Sequence, residues 1–200
     1  SVKTNARPTE AVPMTPAEML FTARSEAEGG HFPADERYAE LLEHVAAHGV
    51  MTAIDVETSR QGARRAIELA HERGVQVWGS HHNFDETPSL ERMVSILDGA
   101  FEAGADVAKL AVMPQDANDV ARLMSATWQA SDGGNRPVAT MAMGELGVTS
   151  RLFGHQFGSR YTFAAVGKSS APGQIPLSGL LAAHELFSSW GNAEHEEHHA

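Results

Sequence analysis

Hydrophobic and polar positions along this chain follow two rhythms. Short apolar runs rich in β-branched residues recur at 19–23, 50–56, 75–79, 107–113, 137–143 and 161–166. Most are apolar at both parities, the pattern of parallel strands covered on both faces. Between them the apolar residues fall three and four apart, as on one face of a helix: Tyr38, Leu41, Leu42, Val45 and Ala46, then Ala63, Ala66, Ile67 and Ala70. Leu90, Met93, Val94, Leu97 and Phe101 repeat the spacing, followed by Val120, Leu123 and Met124, and by Leu180, Leu181, His184 and Phe187. Thr87 and Pro88 predict an N-cap and a first helical position, while Gly49, Gly74 and Gly104 stand where helices should end. Strand and helix alternate with a unit of about 24 to 32 residues, which predicts an α/β fold with right-handed crossovers, either an open doubly wound sheet or a barrel. No Gly-rich phosphate loop follows the first run, which weighs against a nucleotide-binding sheet.

Composition narrows the function. Two hundred residues, 42% of them hydrophobic, suffice for one domain with a sizeable core. The absence of Cys excludes a disulfide framework, a thiolate metal site and a cysteine nucleophile. A formal net charge of -11 opposes a non-specific grip on nucleic acid or an anionic membrane, so a small molecule is the expected ligand. No apolar run reaches the roughly 20 residues of a membrane span, nor does the N-terminal stretch resemble a secretory signal, so the expected location is cytoplasmic. Residues 1–16, with three prolines, predict an extended arm; 17–191 form the domain; 192–200, containing His195, His198 and His199, predict a solvated tail to which no metal is assigned.

Several polar residues interrupt this pattern in ways that suggest chemistry. Lys109 is the lone charged member of an apolar strand. Projected inward, it would be desolvated, which favours the neutral amine that attacks a carbonyl to give a Schiff base; on an edge strand it would only discourage aggregation. His81 and His82 end another strand, where parallel α/β folds gather their reactive groups, and chemistry alone does not choose between them. Arg24, Glu28 and two glycines follow the first run, a place for an anion-binding guanidinium and a carboxylate that orients a histidine. Met141 and Met143 share one strand face, Arg151 follows that strand in an expected loop, and Ser170 and Gln174 lie in a Pro-Gly loop with hydrogen bonds to offer. Asp55 and Glu57 also share a face, as a pair that ties neighbouring loops or, less favoured, as the carboxylates of a glycosidase.

Taken in order, these fragments resemble the type I 3-dehydroquinate dehydratases. The resemblance runs from about Leu20 to Trp190 and rests on Phe-Thr-Ala-Arg-Ser-Glu-Ala-Glu-Gly-Gly at 21–30, Ser-His-His-Asn-Phe at 80–84, Lys-Leu-Ala-Val-Met-Pro at 109–114, Thr-Met-Ala-Met-Gly at 140–144, Ser-Arg-Leu-Phe-Gly at 150–154 and Ser-Ala-Pro-Gly-Gln at 170–174. It implies a TIM-type (β/α)8 barrel that converts 3-dehydroquinate to 3-dehydroshikimate in the shikimate pathway, as a homodimer and without metal or organic cofactor. By position, Lys109 matches the Schiff-base lysine, His82 the general acid/base and Glu28 the carboxylate that orients it. Arg24, Arg151, Ser170 and Gln174 match substrate-binding positions, and Met141 and Met143 the methionines lining the pocket. His81, and Asn83 where many members have Asp, depart from the pattern. The six recognisable units correspond to the third through eighth of the barrel; the first two strands, with a family Glu-X-Arg motif, have no visible counterpart. Two other readings use the same residues: a non-catalytic domain that binds dehydroquinate or quinate, and another Schiff-base lyase such as an aldolase, which needs Lys109 but not Ser170 or Gln174.

Overall fold

The computed structural model describes residues 2–3, 19–33, 35–48, 51–167 and 171–196, with side chains from 19 to 187. Five parallel strands form its centre: β2 (Leu20–Thr22), β3 (Ala53–Glu57), β4 (Gln76–Asn83), β5 (Val107–Val112) and β6 (Val138–Ala142). They are hydrogen-bonded strictly in chain order. A doubly wound sheet reverses its strand order at a switch point; the absence of a reversal among these strands is the winding of a barrel. The sheet continues past β6 through a parallel bridge between Val138 and Ser159, beside β7 (Tyr161–Thr162). At the start of the expected arm, β1 (Val2–Lys3) pairs antiparallel with β7. The predicted strand at 161–166 is divided, since β8 (Ala164–Ala165) pairs instead with β9 (Ile175–Pro176).

The helices α1 (Glu36–His48), α2 (Ala63–Glu72), α3 (Leu90–Glu102) and α4 (Ala117–Ala130) fall on the predicted stretches. Their apolar stripes meet the outward residues of the strands: Leu42, Ile67, Leu97 and Leu123 pack in one cluster with Ile54, Val56, Val77 and Leu110. Burying each such side chain contributes about 1.5–3 kcal/mol, so this layer fixes which face of every strand is left for the interior.

Three expectations require correction. Thr87 is not the cap of α3: Ser89 is, its hydroxyl accepting from Arg92 N, while Thr87 donates to Met113 O at 3.0 Å. Both residue types can cap, and Pro88 separates them, so the strand-end carbonyl takes Thr87 and leaves Ser89 to the helix. Arg151 does not lie in a loop but on the short helix α5 (Val148–Phe153). The last helix, α6 (Leu177–Glu196), continues into the expected tail because Ala193, Glu194 and Glu196 favour helix and no proline interrupts them. Gly74 and Gly104 do follow helices, with φ of 70° and 104°; Gly49, Ser170, most of the arm and 197–200 lie outside the described residues. Among the described residues no helix is long and apolar enough to cross a membrane.

Candidate active site

Strand register determines which polar side chains meet. In β5 the outward residues Ala108, Leu110 and Val112 join the helix-facing core, so Val107, Lys109 and Ala111 face the interior. Ser80 of β4 pairs with Lys109, and His82, two residues on, therefore shares the Lys109 face while His81 alternates away. The same parity turns Asp55 and Glu57 of β3 and Met141 of β6 inward. Lys109 sits on a strand flanked on both sides, which eliminates the edge-strand reading. An apolar layer formed by Ala53, Trp78, Val107, Ala139 and Tyr161 lies toward the strand beginnings, so the polar groups stand above it, toward the C-terminal ends.

The turn after β2 brings two more groups over these ends. Ser25 is buried, and both its N–H and its hydroxyl donate to the Glu57 carboxylate. A short 3₁₀ turn, Glu26–Glu28, then carries Glu28 inward. Gly29 closes it with φ of 80°, and a Cβ on Gly30 would overlap the Arg24 carbonyl, so the return of the chain demands glycine at both places. Arg24 donates to Asp55 Oδ1 at 2.7 Å, and to Glu57 Oε1 and Ser80 Oγ at 3.0 Å each. Asp55 Oδ1 also accepts from Ser80 Oγ at 2.6 Å, while Oδ2 accepts from Lys109 Nζ at 2.8 Å.

Glu28 Oε2 accepts from the His82 backbone N–H at 3.0 Å and lies 2.9 Å from His82 Nδ1. With that oxygen acting as acceptor to both, the proton of a neutral imidazole belongs on Nδ1 and the lone pair on Nε2. Burial, assisted by the Lys109 and Arg24 cations, pushes His82 well below its ordinary pKa, so the ring is neutral at neutral pH. Glu28 is pushed up to about 8 by burial and by the Glu57 charge. Its other oxygen stands 3.6 Å from His81 Nδ1, which makes His82 rather than His81 the closely held partner. Burial alone would raise the Asp55 carboxyl, but Lys109 and Arg24 outweigh it and hold Asp55 well below the usual carboxylate range.

All the described site residues expected from sequence line one cavity of about 710 Å³: Arg24, Glu28, His82, Lys109, Met141, Met143, Arg151 and Gln174. Ser170 is outside the described residues. Arg151 is 3% exposed, donates to Pro172 O at 3.3 Å, and has no hydrogen-bond partner at Nε. No carboxylate among the described residues pairs with it, and burial lowers its pKa. A desolvated guanidinium facing a cavity is suited to an incoming anion. The sequence reading missed two contributors: Asp55 as the partner of Lys109, and Phe163, whose ring lies 4.8 Å from Lys109 Nζ. Strand parity put Asp55 on the correct face, but nothing in sequence links it to a residue two strands away. Among the described residues no group of three or more His, Asp or Glu is gathered as a metal site.

Comparison with known proteins agrees with this geometry. The model of the type I 3-dehydroquinase family matches residues 2–189. A 3-dehydroquinate dehydratase of Listeria monocytogenes is 46% identical over 179 residues, covering 88% of this chain and 70% of that protein. A Neisseria gonorrhoeae protein of the same name is 41% identical over 183 residues, covering 90% and 71%. Among solved structures, the 3-dehydroquinate dehydratase of Geobacillus kaustophilus superposes with a TM-score of 0.81 at 38% identity, covering 86% of this chain and 68% of that one. A type I 3-dehydroquinate dehydratase from Clostridium difficile carrying covalently modified comenic acid superposes with a TM-score of 0.78 at 39% identity, covering 85% and 68%.

Proposed function

Because this chain belongs to the type I 3-dehydroquinase family, we propose that it dehydrates 3-dehydroquinate to 3-dehydroshikimate in the shikimate pathway through an imine on Lys109, with His82 moving the protons. The observation that carries this reading is the meeting of a lysine amine and a neutral imidazole, from neighbouring strands, at one cavity whose buried cation, Arg151, has no carboxylate partner among the described residues.

Each step follows from a group already in place. The substrate carboxylate pairs with Arg151 and turns the ketone toward Lys109. The Lys109 ammonium gives up one proton to water and the freed nitrogen attacks the ketone carbon; a C–N bond forms, the carbonyl oxygen takes up one proton from water and one from nitrogen and leaves as water, and the nitrogen keeps one proton and the positive charge. That iminium acidifies the neighbouring C–H bond. His82 Nε2 removes the proton, and the electron pair runs to nitrogen as an enamine. The enamine pair then expels the hydroxyl group, which takes the same proton from His82 and departs as water. Addition of a water to the conjugated iminium releases the enone and restores Lys109. Glu28 holds Nδ1 throughout, keeping Nε2 toward the reacting carbon. Met141 and Met143 make an apolar wall that excludes water from the carbanion-like step, and Gln174 and Ser170 supply hydrogen bonds to the substrate hydroxyls. A homodimer and a cytoplasmic location complete the reading.

Incubation with 3-dehydroquinate and borohydride, followed by peptide mass mapping, is expected to place a reduced adduct on Lys109, while the untreated reaction develops the absorbance of a conjugated enone. His82→Ala should still yield the adduct without turnover. Absence of both adduct and enone would reject the proposal.

A further inference from the structure

Among the described residues Lys109 Nζ has one carboxylate within hydrogen-bond distance, and that carboxylate is unusually constrained. Asp55 is 0% exposed. Its Oδ1 is occupied by Arg24 at 2.7 Å and by Ser80 Oγ at 2.6 Å, which leaves Oδ2 to Lys109 at 2.8 Å. The side chain is therefore fixed from one side and presents a single oxygen to the amine. Below it lies the apolar layer of Ala53, Trp78 and Val107, so no solvent competes from the strand beginnings.

The charges around this pair can be named element by element. Arg24 and Glu28 come from the turn after β2, Glu57 from β3, His82 from β4 and Arg151 from α5, while β6 faces it with methionine and Phe163 with an aromatic ring. A carboxyl held below its usual range by Lys109 and Arg24 despite its burial is a poor acceptor for the ammonium proton. The chemistry thus asks something else of it. When the amine becomes an iminium the positive charge stays on the same nitrogen, 2.8 Å from the same oxygen. Only the protonated imine withdraws electrons strongly enough for the neighbouring C–H to be cleaved, so whatever keeps that proton on nitrogen sustains the reaction.

We infer that Asp55 is the permanent counter-ion of the Lys109 iminium, holding the imine in its protonated, electron-withdrawing form rather than serving as a base. This rests on the Schiff-base reading above and extends it to a residue with no assigned role. An opposite charge at this separation shifts a protonation equilibrium by about 1–3 pH units, and losing a preorganised charge at a reacting centre slows turnover on the order of a hundredfold.

Cyanoborohydride, which reduces protonated imines, reads the iminium directly. Trapping of substrate on Lys109 is followed by peptide mass across a pH series in the unsubstituted protein, in Asp55→Asn and in Asp55→Glu. For Asp55→Asn the pH at which trapping is half lost should fall by about 1–3 units, together with kcat; Asp55→Glu, which keeps the charge, should restore the midpoint. A merely structural role would lower trapping equally at every pH, and an unchanged midpoint in Asp55→Asn overturns the inference while leaving the Schiff base standing. No adduct in the unsubstituted protein rejects the Schiff base and this inference together. Should Asp55→Asn fail to fold, the unsubstituted protein still decides: its trapping should hold level from about pH 6 to about pH 9 with the counter-ion in place, and decay through neutrality overturns the inference.

Discussion

At the scale of single residues, the proposed anion-binding role of Arg151 sets stability against binding. A guanidinium 3% exposed, with one orphaned nitrogen, is a desolvated charge without a carboxylate partner among the described residues. Removing such a charge relieves a cost that burial imposes, whereas removing one half of an ion pair would strand the other. Arg151→Met, close in volume and apolar, should therefore leave the protein as stable as before or more so by about 1–2 kcal/mol. The same change should raise KM by about a hundredfold, since the proposed bidentate grip on the substrate carboxylate is lost. Thermal denaturation beside steady-state kinetics checks both halves; a large loss of stability would mean that Arg151 serves the fold instead. The opposite case is Arg24, which binds Asp55, Glu57 and Ser80 and whose removal would take a shared cation from two buried carboxylates.

At the scale of elements, the caps separate what sequence reveals from what it conceals. Ser89 accepts from Arg92 N at the start of α3, so Ser89→Ala should cost about 1 kcal/mol in urea denaturation with kcat unchanged, and Ser89→Asp should recover that loss at the helix N-terminus. Thr87 and Ser89 are both capping residue types, and the position of the Met113 carbonyl assigns one to the strand and the other to the helix. The strands and long helices were readable because burial imposes period on many residues at once: apolar at both parities in β5, three-four spacing in α1 to α4. Helix α5 escaped notice since six residues are too few to show a period, so Arg151 reads as a loop position. The Lys109 to Asp55 bond was not readable either, because it depends on the stagger between β3, β4 and β5. Residue types and strand ends identify candidates; register decides which of them touch.

At the scale of the molecule, the buried Glu28 and its half-buried partner His82 couple the site to global stability, and their opposite shifts give that coupling a distinctive shape. In the unfolded chain Glu28 ionises near 4.5 and His82 near 6.5; in the folded protein Glu28 is raised to about 8 and His82 is lowered well below 6.5. From 6.5 down to the lowered pKa of folded His82 or to 4.5, whichever is higher, the unfolded pair holds its proton on the histidine and the folded pair on the glutamate, so the proton counts are equal and the pair contributes no slope. Above 6.5 the unfolded histidine is neutral while folded Glu28 still carries its proton. The folded state then binds more protons, and stability falls by about 1.4 kcal/mol per pH unit, about 2 kcal/mol in all by pH 8. Below about 3.8 the unfolded Asp55 takes up a proton that the folded one, held below the usual carboxylate range, does not, and stability falls as pH drops. Glu28→Gln removes the alkaline fall and uncovers the histidine, so its stability should climb with pH up to about 6.5 and then level off. Urea denaturation of both proteins from about pH 4 to about pH 9 checks this through the difference between the two curves. A difference that does not widen in the variant's favour above pH 6.5 would mean that the Glu28 carboxyl is already ionised beside His82, and that the proton shared by the pair rests on the imidazole.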